Sequence, residues 1–507
     1  MDLEEHARTP IIVLAGLTLL ALVLRFYRIG AWGFESDEVF MVRDSITPRL
    51  SNPRPLMYFL NHYVVAPFTP LDEFGIRLLP AIFGVLSIPA FYAVARRLVG
   101  TRAALFGSFF VATNGVLIYY SQFGRYWTLV FLLCSIYPYA LYLGGRDRDR
   151  RMLALGAVTG VLAVLAHPVS VLALAGLGLW TIAMYGRRER LAQLWSRQRV
   201  RWAVFASALL AVVIALRFIP MLRSWIVSHD QVPQSETGGE FLLHGPGGQV
   251  VKQIILLVTY VQNLEPLLVL AGVLGIHLLW SGRTRSLALL LTCLFAVPVA
   301  FVLLVQIRTA VSTFYLVPAT PALFIGVGVF LDRLAGVESG FRPRWLLSAA
   351  VATMIFAAGA PTLVSQYRDG RRYDFRGSAR WLGERLGPAD IVFSDQPKVV
   401  RVYLPKRRVE RLVADPVRLN NAETSLRQDG RAGVLWIVAP APSHAFRINP
   451  RLGILNDWIY SHCQLRNTIG VGRVDFRQNF LQIYRCPPVV PDVGARVIRA
   501  GDRRGTG

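Results

Sequence analysis

A polytopic α-helical membrane protein, of about eleven transmembrane helices with a C-terminal extracytoplasmic α/β domain, is the fold this sequence predicts. Three observations predict it. The 507 residues are 54% hydrophobic and only 17% charged, with a mean hydropathy of +0.43, a balance rare in soluble chains of this size. Apolar runs long enough to cross a bilayer recur along the first 364 residues. Beyond them the pattern turns to short apolar strands and amphipathic helices. The net charge of +24 would suit nucleic acid in a soluble protein. Here many of the arginines fall in short clusters between apolar runs, as the positive-inside rule predicts, so nucleic acid is not an expected partner.

A hydrocarbon core of about 30 Å takes roughly 20 apolar residues per helix. Eleven runs qualify: 10–28, 76–95, 103–120, 126–143, 152–167, 169–185, 202–219, 253–279, 287–305, 314–332 and 346–364. The first is preceded by a mixed acidic and basic segment and followed by polar sequence with no small-residue cleavage site, so it reads as an uncleaved helix. Arginines follow the even-numbered spans: Arg96, Arg97 and Arg102; Arg146, Arg148, Arg150 and Arg151; Arg187 to Arg201; Arg283 and Arg285; Arg333, Arg342 and Arg344. Those five loops are therefore cytoplasmic, as is the N-terminus, in a multi-pass protein of a bacterial cytoplasmic membrane. The loop 29–75, the loop 220–252, the turn around Arg308 and everything after about 365 are then outside.

Residues 1–364 form the membrane domain and 365–490 a soluble extracytoplasmic α/β domain. Within the latter Ser378 to Leu386 reads as a helix stopped by Gly387-Pro388, and Ile391 to Ser394 and Val434 to Val438 as buried strands. The Arg-, Gly- and Pro-rich tail 491–507 reads as disordered. Cys134 and Cys293 lie in apolar runs, where a thiol behaves as a small hydrophobe. Cys463 and Cys486 lie in the polar domain, where a disulfide is compatible with an extracytoplasmic location. No C-x-x-C or clustered His/Cys pattern suggests a metal centre.

Three carboxylates stand at the expected outer surface just after the first span, in Phe34-Glu35-Ser36-Asp37-Glu38-Val39-Phe40. Charge at that level is costly unless solvated or used. In the same loop Asn52-Pro53-Arg54-Pro55-Leu56-Met57-Tyr58-Phe59-Leu60-Asn61-His62 reads as a short apolar helix, and Arg77-Leu78-Leu79-Pro80 opens the second span. Tyr120-Ser121-Gln122-Phe123-Gly124-Arg125-Tyr126 forms the turn between spans three and four, and His167 ends span five.

In these motifs, taken in order, the sequence resembles family 39 and related type C glycosyltransferases, a group that includes protein O-mannosyltransferases and lipid A aminoarabinose transferases. Asp37-Glu38 matches the family's Asp-Glu pair in the first external loop. Pro53 to Tyr58 loosely matches its His-Pro-Pro-Leu-Tyr-Tyr run, Arg77 to Pro80 its Arg-Leu-Pro, and Tyr120 to Tyr126 its Tyr-Ser-Gln-Glu-Ala-Arg-Tyr-like turn. Arg308 before Tyr315-Leu316-Val317-Pro318-Ala319 is similar to a late Arg-Tyr-Leu-Pro-Ala-Leu-Pro segment, and Tyr373-Asp374-Phe375-Arg376 to the start of the C-terminal domain. The sequence departs from the family at Phe123, where Glu is usual, and at Pro53 and Arg54, where His and Pro are.

The resemblance implies a metal-independent enzyme that moves a sugar from a polyprenyl-phosphate donor to an extracytoplasmic glycan, lipid or protein acceptor. A lipid phosphate leaves as a stable anion, so one carboxylate acting as general base on the acceptor hydroxyl suffices for an inverting displacement. The resemblance assigns that role to Asp37, with Glu38 as its partner in holding the acceptor or tuning the base. Arg308, Arg125, Arg54 and Arg77 are candidates for the phosphate, since a planar guanidinium donates two parallel hydrogen bonds; interfacial snorkelling accounts for each as well. Tyr58, His62, His167, Tyr126 and Gln122 are candidate substrate contacts. Tyr120 and Trp127 join them, although an interfacial aromatic belt explains such rings too. Expected cofactors are none, while Glu35 and Asp44 leave room for a divalent ion. Two rivals remain: a transporter or flippase of lipid-linked saccharides, which would place ionisable residues at mid-membrane on broken helices, and a noncatalytic assembly partner.

Overall fold

The computed structural model describes residues 2–185, 246–281, 284–306, 311–336, 345–413, 415–428, 433–440, 450–470 and 480–487. The expected span 202–219, Arg308, and the tail 491–507 lie outside them.

Ten helices come first: α1 Asp2–Phe26, α2 Ser36–Ile46, α3 Pro55–Leu60, α4 Gly75–Val99, α5 Thr101–Thr113, α6 Gly115–Ser121, α7 Trp127–Cys134, α8 Tyr137–Asp147, α9 Arg150–Ala166 and α10 Val171–Tyr185. After them come α11 Pro246–Leu264, α12 Pro266–Leu278, α13 Arg285–Gln306, a 3₁₀ segment Thr313–Ala319 running into α14 Thr320–Gly336, and α15 Trp345–Asp369. Among the described residues, seven helical segments are long and apolar enough to cross a membrane, and up to nine if each of two bent pairs counts as one span. The chain is thus a multi-pass membrane protein. At 17 residues, α9 is shorter than any of the seven.

Both bent pairs fall where hydropathy alone suggests continuous helices. Between α5 and α6 the axis turns by 57°, and between α11 and α12 by 94°. Asn114 makes the first turn by accepting from the N–H groups of Val116 and Leu117. Glu265 makes the second by accepting from Leu267 and Leu268, with Pro266 in the first helical position, where its missing N–H costs nothing. The breaks meet, because Asn114 Nδ2 donates to the Leu264 carbonyl at 3.1 Å. Arg25 closes the other side of the first break by donating to the carbonyls of Val111 and Ala112, both at 2.8 Å. Arg25 and Glu265, buried within expected membrane runs, are thus spent on helix ends that would otherwise leave polar groups unsatisfied.

Opposite ends of the bundle differ in chemistry. At one end Arg97, near the C-terminus of α4, pairs with Asp147, the last residue of α8, and with Asp149 just beyond it, and Arg102 pairs with Asp332. These belong to the loops the arginine pattern groups together. Arg77, near the N-terminus of α4, lies about 30 Å away along the same helix, at 1.5 Å per residue, among residues of the first loop.

The C-terminal domain carries α16 Phe375–Gly383, β1 Ile391–Ser394, α17 Pro397–Tyr403, β2 Arg408–Arg411, α18 Pro416–Gln428, β3 Leu435–Pro440, α19 Pro450–His462, β4 Gln464–Ile469 and β5 Leu481–Cys486. Strand order is β2-β1-β3-β5-β4. The β1 pairings with β2 and β3 are parallel, and β5 runs antiparallel to β3 and β4. Strand β1 spans the residues expected and β3 starts one later. The helix expected over 378–386 begins instead at Phe375, because Asp374 caps it by accepting from Gly377 N at 2.7 Å. A disulfide joins Cys463 to Cys486, linking β5 to the residue before β4. Cys134 and Cys293 are free and buried.

Candidate functional site

Helix α2 begins in the first loop with Glu35 as N-cap, which places Asp37 and Glu38 in its first turn, where the partial positive charge of unpaired N–H groups favours carboxylates. The helical rotation sends the two side chains apart. Asp37 keeps 48% of its side chain exposed, whereas Glu38 has none.

Glu38 is held from several sides. Arg77 Nε and Nη2 donate to its two oxygens at 2.7 and 2.8 Å, Arg372 Nη1 to Oε2 at 3.0 Å, Gly124 N to Oε1 at 2.7 Å and Glu35 N to Oε2 at 2.9 Å. Burial alone would push this carboxyl up, but Arg77 and Arg372 outweigh it and hold it down at about 2. A carboxylate so enclosed neither accepts a proton near neutral pH nor reaches an acceptor substrate. Of the two expected roles for Glu38, holding the acceptor or tuning the base, this enclosed position leaves no direct contact for the first. Gly124 is required here by close approach: a Cβ would lie 2.7 Å from Ile76 Cγ2 and 3.2 Å from Glu38 Oε1.

Arg77 departs from its expected role in the same way. Its remaining N–H groups donate to the carbonyls of Ile29, Trp32 and Gly33, so all five guanidinium donors are spent and none is left for a phosphate. Gln122 is also committed. Its amide nitrogen Nε2 donates to the Arg25 and Tyr27 carbonyls at 3.2 and 2.9 Å, and Oε1 accepts from Gln366 at 2.7 Å. It fastens the turn 122–125 to the end of α1 and contacts no open surface. His62 donates from Nδ1 to the Ser45 carbonyl at 2.9 Å and braces the C-terminal end of α2, away from its first turn.

The other candidates gather around Tyr126. Arg54 Nη1 and Arg125 Nη2 both donate to its hydroxyl, at 2.7 and 3.0 Å, and both guanidinium carbons stand over its ring, at 5.3 and 4.8 Å from the centroid. Arg125 Nη1 donates to the Asp37 carbonyl at 3.0 Å, and Nη2 lies 3.7 Å from Asp37 Oδ2. His167 packs 4.8 Å from the Tyr126 ring and 5.0 Å from Trp127, with Tyr315 at 5.6 Å. Its Nδ1 accepts from Val169 N at 3.0 Å, which fixes a neutral ring carrying its proton on Nε2. Tyr58 is buried within electrostatic reach of Arg125, Tyr126 and Arg54, and burial pushes its phenol up.

Arg54 Nε, Arg125 Nε, Trp127 Nε1 and His167 Nε2 are buried and have no hydrogen-bond partner among the described residues. Buried polar groups are normally paired, so four unspent donors around one tyrosine, beside two cations, form a place for an electron-rich ligand. Phe123 occupies the position where the resembled family carries Glu. Its ring stacks on Tyr119 at 5.4 Å, and Tyr119 donates to Glu35 at 3.1 Å, so the carboxylate in this part of the site comes from the first loop. Burial pushes Glu35 up, against the pull of Arg372.

Sequence reasoning missed Arg372 and Tyr403. Tyr403 accepts from Phe34 N and donates to Glu73, both at 2.7 Å, so α17 of the C-terminal domain clasps both ends of the first loop. Arg376 joins it through Glu73 at 3.4 Å and the Ala31 carbonyl. Among the described residues, no group of three or more His, Cys, Asp or Glu side chains is placed to hold a metal ion.

Solved structures share this architecture. ArnT from Cupriavidus metallidurans in the apo state aligns with a TM-score of 0.52 at 17% identity, covering 94% of this chain and 98% of that one. The same protein bound to undecaprenyl phosphate gives 0.50 at 16% identity, covering 95% and 98%. The archaeal oligosaccharyltransferase AglB from Archaeoglobus fulgidus, in complex with an inhibitory peptide and a dolichol-phosphate, gives 0.52 at 13% identity, covering 85% of this chain and 69% of that one. No family model and no curated protein matches the chain. The fold is that of the type C glycosyltransferases.

Proposed function

We propose that this chain is an integral membrane glycosyltransferase that moves a sugar from a polyprenyl-phosphate donor to an extracytoplasmic glycan, lipid or protein acceptor. The observation that carries the reading is the half-exposed Asp37 carboxylate beside Arg125, which shares the Tyr126 phenol with Arg54, both cations keeping unspent N–H donors. Support also comes from the shared fold, since one ArnT structure contains undecaprenyl phosphate and the AglB structure a dolichol-phosphate.

In the proposed step Asp37 takes the proton of the acceptor hydroxyl as that oxygen bonds to the anomeric carbon. The bond from that carbon to the phosphate oxygen breaks on the opposite face, and the configuration inverts. The bonding pair leaves with the lipid phosphate, which gains negative charge where Arg54 and Arg125 stand. Trp127 and Tyr315 supply aromatic faces for the sugar ring, and the Nε2 proton of His167 supplies a neutral donor.

Substituting Asp37→Asn tests the reading in membranes matched for protein level. Transfer is expected to fall on the order of 10²–10⁴-fold, the usual contribution of a positioned general base. A strain lacking the protein is expected to accumulate a polyprenyl-phosphate sugar by lipid analysis. Undiminished transfer by the Asn variant would remove Asp37 from the mechanism. An exchange of lipid-linked saccharide between leaflets, with no new glycosidic bond, would favour a flippase.

A further inference from the structure

Asp37 and Arg125, the two ends of the proposed chemistry, sit on different parts of the chain. One belongs to the first loop and the other to the turn between α6 and α7. What holds them in register lies beneath them, and one of its members comes from beyond the last membrane helix.

Arg372 follows α15 by a tight turn in which Gly370 and Arg371 adopt left-handed backbone, φ +68° and +55°. Gly370 is needed there twice, for its conformation and because a Cβ would lie 2.6 Å from the Trp32 ring. The turn aims Arg372 back into the site, where its side chain is 2% exposed. Its Nη1 reaches Glu38 Oε2 at 3.0 Å and the Gly33 carbonyl at 3.5 Å, and Nη2 reaches the Gln122 carbonyl at 3.3 Å. Nε donates to the Gly370 carbonyl at 3.2 Å and lies 3.9 Å from Glu35 Oε1. The guanidinium plane also faces Tyr119 and Phe123, at 5.7 and 5.9 Å. One side chain thus contacts the loop before Asp37, the carboxylate after it and the turn that bears Arg125.

We infer that Arg372 is a positioning residue for the transfer step: the C-terminal domain sets the distance between the Asp37 carboxylate and the Arg125 guanidinium through it. The inference rests on the glycosyltransferase reading and extends it to a part of the chain that touches neither substrate. Lysine cannot replace it, because a single ammonium lacks the planar fork that serves the loop and the turn together.

The test compares Arg372→Ala and Arg372→Lys with wild type and Asp37→Asn in proteoliposomes, using the polyprenyl-phosphate sugar identified from the deletion strain. A displacement of about 1 Å between reacting groups can lower the rate on the order of 10²-fold. For Arg372→Ala the expected result is a kcat loss of that order with donor KM within about threefold of wild type, and partial recovery when guanidinium ion is added to fill the vacated site. Arg372→Lys, which keeps the charge and the volume, is expected to fold as wild type and still to lose about tenfold in kcat. Should the Ala variant fail to fold, the Lys variant decides. Wild-type kcat in Arg372→Lys overturns the inference, as does a rate loss that only tracks loss of folded protein and ignores guanidinium. Full transfer by Asp37→Asn would instead overturn the reading beneath it.

Discussion

Glu38 and Asp37 are neighbours in sequence and opposites in environment, and only the first of these facts can be read from the chain. Which of two adjacent carboxylates turns inward depends on where Arg77 and Arg372 arrive. Replacing Glu38 with Gln leaves two buried guanidinium groups without their counter-charge, a change that costs about 3–5 kcal/mol in comparable pairs, and the thermal midpoint of the purified protein is expected to fall accordingly. The pH dependence follows from the depressed acidity. With a folded value of about 2 against an ordinary 4.5, the stabilisation from this carboxylate is complete above roughly pH 4.5 and is lost as pH falls toward 2. Melting wild type and Glu38→Gln side by side should therefore show a gap that is constant from neutral pH to about 5 and closes below that. Arg54 makes a different prediction, since it touches neither Asp37 nor Glu38 through a hydrogen bond. Its truncation to Ala removes donors to a charged ligand, worth about 1.5–3 kcal/mol, so donor KM should rise roughly ten- to a hundredfold, measured at saturating acceptor. Arg372 was illegible because Arg368, Arg371 and Arg372 form one cluster at a span end, which reads as ordinary interfacial charge.

At the scale of elements, apolar runs announce helices and conceal their breaks. The windows 103–120 and 253–279 average over Asn114-Gly115 and Glu265-Pro266, which are capping and turn signals that a hydropathy scan dilutes. Read with capping chemistry in mind, a lone acid followed by Pro inside an apolar run is a helix start. The buried charges that a transport reading would look for, Arg25 and Glu265, are accounted for by those same ends. In the C-terminal domain, β1 and β3 were legible as short apolar runs, whereas β2 and β4 are mostly polar and exposed edge strands, defined by their neighbours and not by their own composition. The link between Cys463 and Cys486 closes a loop with a sequence separation of 23. Removing it with paired Ser substitutions should cost roughly 3 kcal/mol by loop-closure entropy. Alkylation before and after reduction, read by mass spectrometry of protein from cells, should show two thiols that react only after reduction; free thiols at both positions in freshly lysed cells would refute an oxidising location.

For the whole molecule the arginine pattern groups the loops at one end, and Arg97 with Asp147 and Asp149, and Arg102 with Asp332, meet there. The acidic loop and the C-terminal domain share the other end. That grouping makes orientation testable with single cysteines at exposed positions, Ser51→Cys in the first loop and Arg151→Cys at the start of α9. A membrane-impermeant maleimide should label the first in intact cells and the second only after lysis; the reverse pattern would turn the molecule over and put the proposed site in the cytoplasm. Matching motifs in order along the chain was enough to place Asp37, Arg54, Arg125, Tyr126 and His167 in one neighbourhood. It could not separate residues that face the open site from those that support it, because Arg77 and Gln122 carry the same motif signature as Arg125.

The contact between Glu38 and Arg372 joins residues 334 positions apart. During synthesis the acidic loop leaves the ribosome long before its last clamp exists, and until then Glu38 has only part of its counter-charge. A chain that ends short of residue 372 lacks the Glu38–Arg372 ion pair and the tie from Arg372 to the Gln122 carbonyl. The full set of partners around Glu38 is thus complete only once the segment after α15 has been made.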